Sequence, residues 1–108
     1  MTINRFVNII FYDIPVKSER YQQEYTRFRK YLLQNGYYQL QESVYACKLP
    51  SKERALHHKD IILALAPKKS QIRMLLCTKK QFKSMYVLSG ELSLYERILL
   101  DDAIRVQI

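Results

Sequence analysis

The run Phe6 to Tyr12, FVNIIFY, is almost entirely apolar and is built from β-branched and aromatic residues. That is the composition of a strand covered on both faces rather than one with a wet side. A chain with such a strand must lay something against each side of it. Strict alternation puts Val7, Ile9, Phe11 and Asp13 on one side and Phe6, Asn8, Ile10 and Tyr12 on the other. Pro15, which has no N–H to give a ladder, stops the strand just beyond Asp13. Asp13 is also the first acidic residue of a chain with net charge +8. At a strand end its carboxylate can hold a divalent ion against phosphate, bond its own turn backbone, or pair with a cation such as Lys17.

The rest of the chain supplies covering elements in a definite order. Ser18 can cap a helix in which Tyr21, Tyr25, Phe28 and Leu32 recur at helical spacing, and Gly36 stops it in the left-handed position. Residues 37–49, YYQLQESVYACKL, are dense in strand formers. They read as two strands joined tightly at Gln41-Glu42-Ser43, in preference to one strand bent by a bulge. Pro50-Ser51 opens a second helix through about Ala66, with Leu56, Ile62, Leu63 and Ala66 on its core face. Residues 71–78 alternate again as a strand, 79–84 read as one helical turn, and 85–88 and 104–108 as short strands. The order strand, helix, strand, strand, helix, strand predicts an α+β, ferredoxin-like βαββαβ sandwich in one domain, with an extra C-terminal strand. Its core is about 5–91 and its extension about 92–108. Right-handed crossovers put both helices on one sheet face, leaving the other for a partner subunit.

Charge narrows the partner. Residues 1–90 hold sixteen Lys and Arg against six Asp and Glu, whereas residues 91–108 hold two against four. The folded body is therefore basic, which favours a polyanion, since cations that neutralise phosphates release counterions. The phosphate candidates sit at element ends: Lys17 and Arg20 beside Asp13, Lys68 and Lys69 before the 71–78 strand, and Lys79, Lys80 and Lys83 after it. Contacts of this kind position a duplex without reading its bases.

Other chemistries find little support. Cys47 and Cys77 are too few and too far apart for a zinc site and form no Cys-x-x-Cys pair, so both read as buried, reduced thiols of a cytoplasmic protein. His57 and His58 are adjacent, point about 100° apart on a helix, and read as exposed. Ser43, Tyr45 and Tyr12 bring hydroxyls near strand ends, but no Ser-His-Asp order or glycine-rich phosphate loop accompanies them. No secretion signal is expected, and no segment approaches the roughly 20 apolar residues of a spanning helix.

Three stretches, IIFYDIP at 9–15, RFRKYLLQNGYYQLQESVYACKL at 27–49 and PKKSQIRMLLCTKKQFKSMYVLSGE at 67–91, together with their spacing, resemble the CRISPR-associated endoribonuclease family. This is the small adaptation protein Cas two, and the likeness is to its type II branch. The resemblance implies a homodimer with sheets packed face to face and residues 85–88 completing the partner's sheet. It also implies one Mg ion shared by the two copies of Asp13 near the two-fold axis. It further implies bridging of two dimers of the integrase, Cas one, around a short double-stranded DNA. Some members are metal-dependent endonucleases acting on RNA or double-stranded DNA, so Asp13 is at once the candidate metal ligand and the candidate catalytic residue. A free-standing ribonuclease, or an RNase-toxin-like dimer binding single-stranded RNA, is the alternative.

Overall fold

The structure, a computed structural model, describes residues 3–14, 18–92 and 96. Strand β1 (Phe6–Asp13) is followed by α1 (Glu19–Gln34), β2 (Tyr38–Gln41), β3 (Val44–Leu49), α2 (Lys52–Leu65), β4 (Gln71–Thr78) and α3 (Lys79–Lys83). The four strands form one antiparallel sheet in the order β2-β3-β1-β4. This is the α+β, ferredoxin-like arrangement that the element order predicts. The apolar run of β1 lies between β3 and β4, where both its edges are hydrogen-bonded and most of its side chains are buried.

The predicted alternation holds. On one face Ile10 and Tyr12 join Tyr45, Cys47 and Leu49 beneath Phe28 and Leu32 of α1 and Ala55 and Ile62 of α2. On the other, Val7, Ile9 and Ala46 cluster with Phe82 of α3. Ser18 caps α1 through its hydroxyl, which accepts from the Tyr21 N–H. Gly36 ends that helix at φ +89°, a conformation that resists a side chain. Residues 37–49 give two strands, the preferred reading, with an irregularity in register between Gln39 and Gln41.

Three expectations are corrected. Leu56 and Leu63 do not face the core but are 52% and 68% exposed, and the face of α2 against the sheet is Ala55, His58 and Ile62. The helix is apolar on more than one side, so periodicity alone could not choose the buried stripe. His58, expected at the surface, is buried. Residues 85–88 form no strand within this chain: they follow α3 without regular secondary structure, with Tyr86 88% and Leu88 93% exposed. No ladder partner for them exists among the described residues, and residues 104–108 lie outside those described.

His58 is buried because it completes a polar post through the core. Asn8 Nδ2 donates to the Tyr37 hydroxyl at 2.8 Å, and that hydroxyl lies 2.8 Å from His58 Nδ1. The Tyr37 hydroxyl, which accepts from Asn8, can give its own proton to Nδ1, an arrangement that suits the neutral, Nε2-protonated imidazole. Burial, then the positive neighbours His57 and Arg54, lowers the His58 pKa below its ordinary 6.5. The sign follows directly. Above pH 6.5 the imidazole is neutral in both folded and unfolded chains; below it the unfolded chain takes up the proton first, so stability falls as pH falls. Chemical unfolding measured from pH 8 to pH 5 is expected to lose stability below about 6.5, and His58→Gln is expected to flatten that loss. Tyr37→Phe, which strands Asn8 and His58, is expected to cost about 1–3 kcal/mol in urea unfolding at pH 8.

Candidate nucleic-acid interface and metal ligand

Asp13 is the last residue of β1, opposite Gln71 at the start of β4, and it is exposed. It lies on the face away from α1 and α2, since Val7, Ile9 and Phe11 share its side of the strand. Its carboxylate makes no hydrogen bond or ion pair with any described residue, and Ser18 takes the capping role at α1. The turn that Asp13 would cap runs through residues 15–17, which include Lys17 and lie outside those described.

The same end of the sheet gathers cations from two separate elements. A cleft of about 340 Å³ is lined by Ser18, Arg20, Tyr21 and Glu24 from the start of α1 and by Lys68 and Lys69 from the loop entering β4. Arg20 and Glu24 are one helical turn apart and share a face. Lys69 has φ 67°, a left-handed conformation uncommon for a residue with a side chain, in the tight turn before Ser70. Pro67 and Ser70 brace that turn: the Ser70 N–H and hydroxyl both donate to the Pro67 carbonyl, at 3.3 and 2.6 Å. Three cations so placed, against one Glu, present a positive concavity at the end of the sheet where β1 stops.

Lys79, Lys80 and Lys83 do not join this cleft. They lie in α3, beyond the far end of β4, where Thr78 pairs with Phe6. Eight residues of strand separate the two groups, roughly 25 Å at the rise of a β-strand. The α3 turn is firmly anchored. Thr78 and Gln81 form a capping box, and the Lys79 N–H donates to the Arg5 carbonyl at 2.9 Å. The predicted basic residues thus form two patches at opposite ends of β4, about seven base pairs apart along a duplex.

From the sequence Ser18 reads as a helix cap and Tyr21 as part of an apolar stripe, and neither Glu24 nor Arg73, which shares the face of Asp13, is marked as a site residue. Each is placed by the register or by a loop approaching a helix, and spacing along the chain carries no signal for either.

For a divalent ion the donor set of one chain is a single carboxylate. No group of three or more His, Cys, Asp or Glu that could hold a metal occurs among the described residues. Magnesium keeps several waters and takes one or two carboxylates, so Asp13 fits it as one ligand of a set that one chain does not complete. The two thiols and the Tyr12 phenol are disfavoured as nucleophiles. Burial pushes the Cys47 thiol up to about 11 and raises that of Cys77. Burial, followed by the neighbouring Tyr25 and Tyr45, holds the Tyr12 phenol far above its ordinary value. His58 lies on the helix-covered face, away from Asp13.

The model of the family described as CRISPR associated protein Cas2 matches residues 5–85. The chain belongs to the Cas2 family. It is 40% identical over 82 residues to the CRISPR-associated endoribonuclease Cas2 of Acidovorax ebreus, covering 76% of this chain and 80% of that protein. The corresponding protein of Campylobacter jejuni is 33% identical over 102 residues, covering 91% of this chain and 69% of that one. Among solved structures, Streptococcus pyogenes Cas2 at pH 6.5 gives a TM-score of 0.62 at 18% identity, over 77% of this chain and 99% of that one. A second Cas2 crystal structure gives 0.59 at 17% identity, over 96% and 99%. Likeness at these identities shows a shared Cas2 fold. No helix among the described residues is long and apolar enough to cross a membrane.

The thiol environments are checked by labelling. At pH 8 Cys47 of the native chain is expected to resist a soluble disulfide reagent and to react promptly once urea unfolds it, because burial disfavours its thiolate.

Proposed function

We propose that this chain works in CRISPR adaptation as a Cas2 homodimer of the type II branch, bridging dimers of the integrase Cas one and supporting double-stranded spacer DNA. The observation that carries this reading is the cleft where Arg20, Lys68 and Lys69 meet from two elements, with a second basic patch in α3 at the other end of β4. Two basic patches at the two ends of one strand suit the backbone of a duplex, whose phosphates can be held whatever the sequence. The pairing of two chains would use the sheet face that carries Asp13, with residues 85–88 of each chain lying along the other's sheet.

Metal-dependent endonuclease activity, on RNA or double-stranded DNA, is the second reading, favoured by the exposed carboxylate of Asp13, which has no partner among the described residues. In a dimer two copies of Asp13 would hold one hydrated Mg ion; when bound, such an ion supplies charge neutralisation at a phosphodiester and a more acidic water. The chain's own part is to present Asp13 at a fixed strand end, with Arg20, Lys68 and Lys69 close enough to retain phosphate at that end of the sheet.

The two readings separate by mutation. Lys68→Ala with Lys69→Ala is expected to weaken duplex binding and to lower the slope of log affinity against log salt by about one for each lysine that touches a phosphate. Asp13→Asn is expected to leave that slope, and spacer integration with the integrase, intact. Loss of integration in Asp13→Asn, with the assembly still formed, would sink the scaffold reading. Mg-dependent cleavage by the purified chain that vanishes in the same variant would establish the nuclease.

A further inference from the structure

The ladder between β1 and β4 places one cation beside the lone carboxylate. Asp13 pairs with Gln71 and Phe11 with Arg73, so Arg73 is the diagonal neighbour of Asp13 on the same face. Such diagonal neighbours stand about 7–8 Å apart, within reach of a long side chain. Arg73 is exposed, as are Phe11 at 38% and Leu75 at 53%, which lies two residues further along β4. At the other end of this face Phe82 covers Val7 and Cys77, so the open part is a short apolar strip bordered by one acid and one guanidinium. Among residues that the strands place on this face, Asp13 is the only carboxylate.

If a second copy covers this strip, the end that holds Asp13 leaves water with it. Two carboxylates brought near a two-fold axis repel, and a carboxylate buried without a partner is strongly destabilising. A divalent ion is one remedy, but the chain supplies another: each copy brings one Arg73 for each Asp13. Arginine suits this place because its planar fork meets a carboxylate through two hydrogen bonds and is desolvated more readily than an ammonium.

We propose that Arg73 becomes the counter-ion of Asp13 when the open sheet face closes on a second copy, neutralising the carboxylate there without a metal. The idea rests on the face-to-face homodimer proposed above. Arg73 is thus a positioning residue: in the closed pair it orients the carboxylate, and a metal that binds Asp13 there competes with it.

The test is sedimentation equilibrium of the full chain in Mg and in chelator. The variants are Arg73→Gln, Arg73→Lys, Asp13→Asn and the double variant Asp13→Asn with Arg73→Gln. The wild-type dimer is expected to be indifferent to chelator. Arg73→Gln is expected to weaken it at least about tenfold in chelator, because it leaves a covered carboxylate unpaired, and Mg is expected to restore it. Arg73→Lys should keep most of the wild-type affinity. The double variant should dimerise better than Arg73→Gln alone, a coupling that a merely steric role would not produce. A wild-type dimer that falls apart in chelator, or an Arg73→Gln dimer as tight as wild type there, overturns the proposal while leaving the homodimer standing. A chain monomeric under every condition overturns both.

Discussion

The fold depends on burying β1 from both sides while hydrogen-bonding it along both edges. Ile10 and Tyr12 on one face, with Val7 and Ile9 on the other, can be covered together only if the strand is central. Tyr12 shows how completely its helix-facing side is enclosed, with edge-on contacts to Tyr25 and Phe28 and a stacked contact to Tyr45. Tyr45 is fixed in turn by Arg29, whose Nε donates to the tyrosine hydroxyl at 2.9 Å. Aromatic contacts of this kind add to the area they bury. Because β1 is held so rigidly, the residue that ends it, Asp13, is presented at a defined position.

Within this apolar layer runs the chain of hydrogen bonds from Asn8 through Tyr37 to His58. It ties the central strand to the start of β2 and to α2, whose own hydrophobic pattern is too diffuse to specify one orientation. Ala55 and Ile62 would tolerate a helix rotated by part of a turn; the imidazole at 58 has one partner and one rotation that reaches it. Buried polar contacts of this type exchange some stability for a single arrangement.

Much of this architecture was legible in the sequence because periodicity in a strand is strict. The side of β1 taken by Asp13, the two strands within 37–49, the cap at Ser18 and the alternation of β4 all follow from period-two or capping chemistry. What periodicity could not show is which side of α2 faces inward, since Leu56 and Leu63 repeat as regularly as the residues that are buried. Nor could it show that Lys68 and Lys69 meet Arg20, or that Arg73 lies diagonal to Asp13, because loop approach and strand register join residues about fifty to sixty positions apart. The segment 85–88 illustrates a further limit. Its residues are strand formers, but a strand also needs an edge to pair with, and the sequence of one chain does not say whose edge that is.

Phe82, tucked by its short helix against Val7 and Cys77, carries a consequence for assembly. It turns a flat sheet face into a stepped one, raised at the α3 end and low at the Asp13 end. In the proposed homodimer a mate sliding across such a face would meet the step and stop, which would remove translation along the strands as a degree of freedom. Two copies approaching about a symmetry axis each bring a step, and the pair of steps brackets the contact like the shoulders of a lap joint. The alignment of the two halves would then be set by the volume of one aromatic ring rather than by the acid at the strand's end.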